Sequence, residues 1–148
     1  MATEIERSAL VAYSQEQMFE LVGDIESYPQ FMPGCVAAEV HQQGEDFVEA
    51  SLYLSQAGIK QQFTTRNILE RPGKMLMSLV AGPFSELSGE WRFIPLAENA
   101  CKVELSLRFG FDNAVLKLAA GKLFEKSANQ QVAALCQRAE QVYGPSKL

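Results

Sequence analysis

Histidine is almost absent from this sequence, and cysteine is scarce. The single histidine, His41, stands at a polar strand end, where a solvent-exposed side chain is expected rather than a catalytic one. Cys35, Cys101 and Cys136 are odd in number and far apart, so they fit neither a disulfide framework nor metal-ligand spacing. We therefore expect no metal site, and buried thiols in a reducing compartment.

Long apolar runs and an excess of positive charge are also missing. No stretch of about 18 apolar residues occurs, so no membrane span is predicted. The start Met1–Glu4 lacks the basic and apolar regions of a signal peptide, which predicts a cytoplasmic protein. The net charge of -5 argues against a general nucleic-acid binder, and we expect no DNA partner.

Catalytic groups are not expected inside the fold. Glu86, Glu90 and Glu104 alternate with apolar residues and fall on the outer face of their strands, so paired-carboxylate chemistry is unsupported. No glycine-rich phosphate loop is present either. These absences predict a protein that binds rather than converts its ligand, and that requires no cofactor.

Two periodicities organise what is present. Ile5–Val11 predicts a strand, and a capping box at Ser14 opens a helix to about Asp24. Between Cys35 and Asn113, apolar residues alternate with polar ones in six segments separated by turn signals, which predicts an antiparallel sheet. From 114 to about 143 they recur every three or four residues, which predicts one long amphipathic helix.

The long helix needs an apolar surface, and the apolar face of the sheet is the one available. The pattern predicts an α+β fold of the helix-grip type, a curved antiparallel sheet wrapped around a long C-terminal α-helix. We expect a single ligand-binding domain over residues 1–144, followed by a C-terminal tail at 145–148.

This arrangement favours an internal cavity. A long sheet twists, so its apolar face becomes concave and a straight helix touches it mainly along a line. Apolar concave space with a few polar groups is typical of a small-molecule site. The same side chains could equally fill a solid core. The lining comprises Phe63, Thr65, Asn67, Met75, Met77, Leu79, Phe84, Trp91, Phe93, Leu105, Phe109 and Phe124, with Gln61 on the same face.

Two turns are candidates for the rim of such a cavity. The segment 82–84 is first a tight turn between strands, and it also brings Pro83 to the rim with Phe84 directed at the mouth. Met32 and Pro33, after the first helix, are the candidates for the opposite rim. Trp91 is interpreted both as the largest core residue and as a wall of the cavity.

Several segments resemble a known family. The order of elements resembles the START-like, Bet v 1-like or polyketide-cyclase-like superfamily. Within it, the segments are similar to the coenzyme Q-binding proteins and the RatA-type ribosome-association toxins. One departure is Gly34, where the family often has Trp. The matching segments are SYPQFMPGC at 27–35, FTTRN at 63–67, GPFSELSGEWRF at 82–93 and RAEQVYG at 138–144.

The resemblance implies two activities that the alternation of apolar and polar residues could not reveal. One is binding of ubiquinone or a related isoprenoid lipid as a ligand in support of respiration, with peripheral contact to the inner membrane. The other is association with the large ribosomal subunit that blocks subunit joining, as in a toxin–antitoxin system. A polyketide cyclase or aromatase enzyme is the alternative that the superfamily allows.

Basic residues supply two candidate contact surfaces. Lys117, Lys122 and Lys126 lie off the apolar stripe of the last helix, most simply as a solvated face. They could also contact anionic lipid headgroups or ribosomal RNA phosphates. Arg66, Arg71 and Lys74 form a second candidate surface for the ribosome.

Overall fold

A computed structural model describes residues 2–145; Met1 and residues 146–148, which belong to the predicted C-terminal tail, lie outside the described residues. The described chain forms seven strands, three α-helices and a short 3₁₀ helix, Ile25–Gln30. The strands are β1 Thr3–Val11, β2 Cys35–Gln43, β3 Phe47–Gln56, β4 Ile59–Glu70, β5 Lys74–Ala81, β6 Phe84–Ala97 and β7 Ala100–Phe111. The α-helices are α1 Gln15–Gly23, α2 Ala114–Asn129 and α3 Gln131–Tyr143.

The predicted capping box starts α1. The backbone N–H of Gln17 donates to the Ser14 hydroxyl at 3.1 Å, and the N–H of Ser14 donates to the Gln17 side chain at 2.9 Å. Two N–H groups that the helix itself cannot satisfy are thus paired. Met18, Phe19 and Val22 are buried against the sheet side of the molecule. The short 3₁₀ helix follows α1 and leads the chain into β2.

All seven strands pair antiparallel in one sheet with the order β1-β7-β6-β5-β4-β3-β2. The two outermost strands differ in regularity. β1 pairs with β7 over nine residues without a shift of register. β2 is interrupted by two irregularities against β3, between Cys35 and Ala37 and between Val40 and Gln42. The inward faces of the strands follow the predicted alternation, because side chains alternate across a sheet with a period of two.

The prediction of one uninterrupted C-terminal helix is wrong in one respect. At Gln130 the backbone N–H bonds to the carbonyl of Ser127, three residues back, so the helix tightens and divides into α2 and α3. The apolar stripe continues across this break, from Ala120 to Ala139. Val142, predicted on the stripe, is instead 49% exposed. Among residues 2–145, no helix is both long and apolar enough to cross a membrane.

The core consists of two clusters. The first surrounds Trp91, which is 1% exposed and stacks on Phe93, and it includes the apolar faces of α1 and α3. The second is aromatic and centres on Phe124 of α2, whose ring centroid lies 4.6 Å from that of Phe109. The thiols of Cys35 and Cys101 are buried and that of Cys136 is half-buried, and all three are free.

Candidate ligand-binding site

A cavity of about 70 Å³ lies between the sheet and the helices. Its walls come from strands β2 to β7, from the 3₁₀ helix with the turn that follows it, and from α2 and α3. Most of the lining is aliphatic or aromatic, because the alternation of each strand directs its apolar side chains inward. The interior is therefore neither a fully solid core nor a wide chamber.

Two hydrogen-bonded side chains supply polarity in this lining. Thr65 and Asn67 are 8% and 4% exposed, and both project from β4 into the cavity. The Thr65 hydroxyl donates to the Asn67 side-chain carbonyl at 3.0 Å. This bond satisfies the acceptor of Asn67 and leaves its amide N–H groups free to donate to a ligand acceptor.

The titratable groups of the lining are held neutral. Burial raises the pKa of Tyr28, and its hydroxyl donates to the carbonyl of Val22. Burial also raises the pKa of the Cys35 thiol, because a thiolate would lose its hydration there. Neither carboxylates nor histidine belong to the lining within residues 2–145. That part of the chain also contains no group of acidic, cysteine or histidine side chains arranged to hold a metal ion.

Five members of the lining are partly exposed, namely Pro33, Leu52, Leu54, Met77 and Gln131, and three of them lie near the turn before β2. Pro33 lies two residues before Cys35, which pairs with Leu54 of β3. The Ser127 hydroxyl donates to the Pro33 carbonyl at 2.7 Å, and Gln131 lies one helical turn beyond Ser127. Pro33, Leu54 and Gln131 are partly exposed and all line the cavity. We infer that the mouth lies between the turn before β2, strand β3 and the junction of α2 with α3.

Gly34 shapes this mouth through its backbone. Its φ of +76° falls in the left-handed region, which favours glycine because other residues carry a Cβ that clashes there. A Cβ at this position would also lie 2.7 Å from the side chain of Gln56. The glycine at position 34, where the resembling family often has Trp, therefore suits the local backbone conformation of this turn.

The structure brings part of the predicted site together at the cavity. Eight predicted residues line it, although their role in binding a ligand stays a prediction. They are Met32, Pro33, Phe63, Thr65, Asn67, Met77, Trp91 and Phe124. Seven other predicted residues lie outside this lining, and their role in binding also stays a prediction. They are Met75, Leu79, Phe84, Phe93, Leu105, Phe109 and Pro83.

The seven predicted residues outside the lining pack elsewhere in the structure. Phe93 packs edge-on against Phe19 of α1, with ring centroids 5.9 Å apart, in the first core cluster, which also contains Met75 and Leu105. Phe84, predicted at the mouth, is only 4% exposed and belongs with Phe109 and Leu79 to the aromatic cluster. The interpretation of 82–84 as a turn is correct, and the Pro83 carbonyl there accepts a bond from the N–H of Asp112 at 3.0 Å.

Sequence reasoning missed ten lining residues. Ala50, Leu52 and Leu54 follow the period of two along β3, and this alternation would have identified them. Ile25 and Tyr28 lie in the 3₁₀ helix, where no long periodicity exists to reveal an inward face. The full set comprises Ile25, Tyr28, Cys35, Ala50, Leu52, Leu54, Leu87, Leu107, Ser127 and Gln131.

Gln61 lies beside the main cavity rather than in it. It lines a smaller cavity of about 10 Å³ together with Leu54 and Phe124, which also line the main one. Its Nε2 atom is buried without a hydrogen-bond partner among residues 2–145. Gln61 therefore contributes an unsatisfied donor next to the main cavity.

The basic candidates on the surface fall into two groups. Arg66, Arg71 and Lys74 lie within 4.0 Å of carboxylates, those of Glu49, Glu20 and Glu90 respectively, which compensates much of their charge. Lys117, Lys122 and Lys126 are exposed on α2 and form no ion pair within the described chain. Of the two candidate basic surfaces, the one on α2 is therefore the one whose charges are not compensated by carboxylates of the described residues.

His41 is exposed, as expected. Its imidazole lies 2.7 Å from the Ser51 hydroxyl and 3.2 Å from the Glu39 carboxylate. It is not among the residues that line the cavity. Its surroundings are therefore those of a surface side chain.

The cavity and the strand order agree with the result of a family comparison. A model of the family described as polyketide cyclase / dehydrase and lipid transport matches residues 11–136. The chain belongs to this family. The predicted resemblance is thereby confirmed.

Two named proteins are similar in sequence to this chain. The ribosome association toxin RatA of Vibrio cholerae is 49% identical over 141 residues, which cover 95% of this chain and 98% of that protein. The mitochondrial coenzyme Q-binding protein COQ10 of Drosophila melanogaster is 25% identical over 146 residues, which cover 96% of this chain and 60% of that protein. The named relatives thus include a ribosome association toxin and a coenzyme Q-binding protein.

A solved structure confirms the START-like helix-grip fold. The Zhui aromatase/cyclase from Streptomyces sp. R1128 superposes with a TM-score of 0.81 and covers 95% of each chain. Sequence identity in this superposition is 21%, so the likeness concerns the fold alone.

Proposed function

We propose that this family member binds ubiquinone or a related isoprenoid lipid in its internal cavity, in support of respiration and without converting the ligand. The observation that carries the proposal is the buried Thr65–Asn67 pair within a mostly apolar lining. A quinone carbonyl accepts hydrogen bonds, and the free amide N–H groups of Asn67 can donate to it. The apolar lining suits the ring and the first isoprenoid units.

The ligand must widen the cavity to fit. A volume of about 70 Å³ is well below the roughly 300 Å³ at the lower end of small-molecule pockets. Met32 and Met77 line the cavity, and unbranched thioether side chains change conformation at low cost. We infer that these methionines move when the ring enters, while Trp91 remains as a fixed wall.

The neutral lining supports binding without catalysis. A cyclase requires a group that moves protons, and the titratable groups at this cavity, Tyr28 and Cys35, both have a raised pKa. The aromatase/cyclase alternative is supported by the fold and by the description of the matched family. The 25% identity to a coenzyme Q-binding protein supports the choice of a quinone over a polyketide.

Replacing Asn67 tests the proposal. Trp91 is the single tryptophan and lines the cavity, so binding of added ubiquinone should quench its fluorescence. N67L should weaken quinone binding about tenfold, because the carbonyl loses its donor. N99L, which changes an exposed asparagine in the β6–β7 turn, should bind like the wild type. A wild-type chain that neither quenches with ubiquinone nor yields extractable lipid on mass spectrometry would refute the proposal.

A second function is favoured by sequence identity. We propose that the chain also associates with the large ribosomal subunit and hinders subunit joining, on the basis of 49% identity over 95% of its length to a ribosome association toxin. A protein with a net charge of -5 needs a local basic surface for this contact. The three unpaired lysines of α2 supply one, whereas Arg66, Arg71 and Lys74 are compensated by carboxylates.

Charge reversal on α2 tests the ribosomal proposal. The triple change of Lys117, Lys122 and Lys126 to Glu should reduce co-sedimentation with large subunits at low salt by more than tenfold, because contacts with phosphates release counterions. Binding of quinone should persist, since these side chains point away from the cavity. K60E, at an exposed lysine on β4, is the matched control. Failure of the wild type to co-sediment would remove this function.

A further inference from the structure

The start of α2 presents apolar side chains to solvent. Leu118 is 86% exposed and Val115 is 74% exposed, the two highest values among the large hydrophobic residues of the described chain. Ala114 and Ala119 beside them are exposed as well. Val115 and Leu118 are three residues apart on the helix, so together they form one apolar patch at its start.

Helix geometry places these residues in line with lysines. Positions 115, 118, 119 and 122 share one face, because residues three and four apart are neighbours on a helix. The outward face thus begins with an apolar tip, formed by Val115, Leu118 and Ala119, and continues with Lys122 and Lys126. The opposite face carries Phe124, Ser127 and Ala128 into the core.

The charge of this face contrasts with that of the whole chain. α2 carries three lysines and one acidic residue, Glu125, while the full sequence has a net charge of -5. Asp112 precedes the helix and is also exposed. The lysines have no ion-pair partner within residues 2–145, so their charge is available to an anionic partner.

We propose that the tip of α2 inserts into the headgroup region of an anionic phospholipid bilayer. Apolar side chains gain free energy when they leave water for the acyl boundary, and lysines one and two turns further along can extend toward lipid phosphates. An RNA surface would attract the lysines through its phosphates but would offer no apolar environment to Val115 and Leu118. The combination of the apolar tip with the lysines therefore fits a membrane surface, whereas the proposed ribosomal contact would use the lysines without the tip.

This contact would place the ligand cavity near its lipid source. Phe124 and Ser127 of the same helix line the cavity, and Ser127 bonds the Pro33 carbonyl at its mouth. The membrane inference stands independently of the ligand, since it rests on the outward face of α2 alone.

Vesicle binding by the full chain tests the inference. The wild type should co-sediment with vesicles of equal parts phosphatidylcholine and phosphatidylglycerol, and binding should weaken in salt. The double variant V115S/L118S should bind at least about tenfold more weakly, since it loses the buried apolar area. K122Q should weaken binding about fivefold. L10S, at a leucine that is 73% exposed on β1, and K60Q should bind like the wild type.

Two outcomes would overturn the inference. One is a wild type that does not bind these vesicles at low salt. The other is a V115S/L118S variant that binds vesicles like the wild type but has lost co-sedimentation with large ribosomal subunits, which would assign the tip to the ribosome. Quinone quenching of Trp91, measured on the same variants, reports separately on the cavity.

Discussion

The three thiols differ in how far they are removed from water. Cys35 and Cys101 are buried, whereas Cys136 on α3 is partly accessible. Burial raises the pKa of all three and brings that of Cys101 to about 11, because a thiolate in the core loses its hydration. At neutral pH each thiol is therefore protonated and a poor nucleophile.

The rate at which the three thiols are alkylated should increase with their exposure. Under native conditions iodoacetamide should modify Cys136 first and Cys101 last, and all three should react rapidly in denaturant. The unfolded thiols ionise from about pH 9, while Cys101 in the folded chain keeps its proton to about pH 11. The free energy of unfolding should therefore decrease as the pH rises through this window, and C101A should reduce the decrease. Mass spectrometry of time points and urea titrations measure both effects.

Single residues also show how far the alternation of apolar and polar residues can predict which side chains line the cavity. Thr65 and Asn67 were predicted on the cavity, and the structure places them there, because a period of two determines the inward face of a strand. Leu105 and Met75 share that face but pack in the core. Alternation does not specify how closely a helix covers each inward side chain, so cavity and core residues look alike in the sequence.

Among the elements, the junction of α2 and α3 controls the mouth of the cavity. The buried Ser127 hydroxyl ties the last turn of α2 to the Pro33 carbonyl, and Gln130 begins the break one turn later. The hydrogen bond thus fixes the helix against the turn that precedes β2. A carbonyl left unpaired at this place would cost free energy because it is partly shielded from water.

Removing this hydroxyl should loosen the mouth. S127A should lower the free energy of unfolding by about 1–2 kcal/mol, because the Pro33 carbonyl loses its donor. Urea titration measures the loss. S106A, at an exposed serine on the outer face of β7, should change stability little. Equal stability of S127A and the wild type would show that the hydrogen bond contributes nothing.

The break itself could not be predicted from the apolar pattern. Ala128 and Val132 lie four residues apart across Gln130, so the helical spacing continues without a gap. No proline or glycine interrupts the sequence there. The break is a local tightening of the backbone, in which the Gln130 N–H bonds to the Ser127 carbonyl, and it leaves no periodic signal.

At the scale of the whole molecule, topology follows from sequence more readily than contacts do. Six alternating segments followed by a helical stripe leave one arrangement that covers the apolar face of the sheet, and that arrangement is observed. The exposed tip of α2 was not predicted, since Val115 and Leu118 read as ordinary members of an apolar-rich helix. Only the position of the helix on the sheet reveals which of its apolar side chains remain uncovered.

The open sheet has consequences for aggregation. An edge strand offers unpaired N–H and carbonyl groups to any other chain. The two irregularities in β2 interrupt that edge and leave only short regular stretches for an incoming strand. β1 has no such interruption over its nine paired residues, and its protection comes from charges such as Glu4, Glu6 and Arg7. Intermolecular strand addition during refolding is therefore expected at β1, and neutralising its charges would promote fibrillar assembly there.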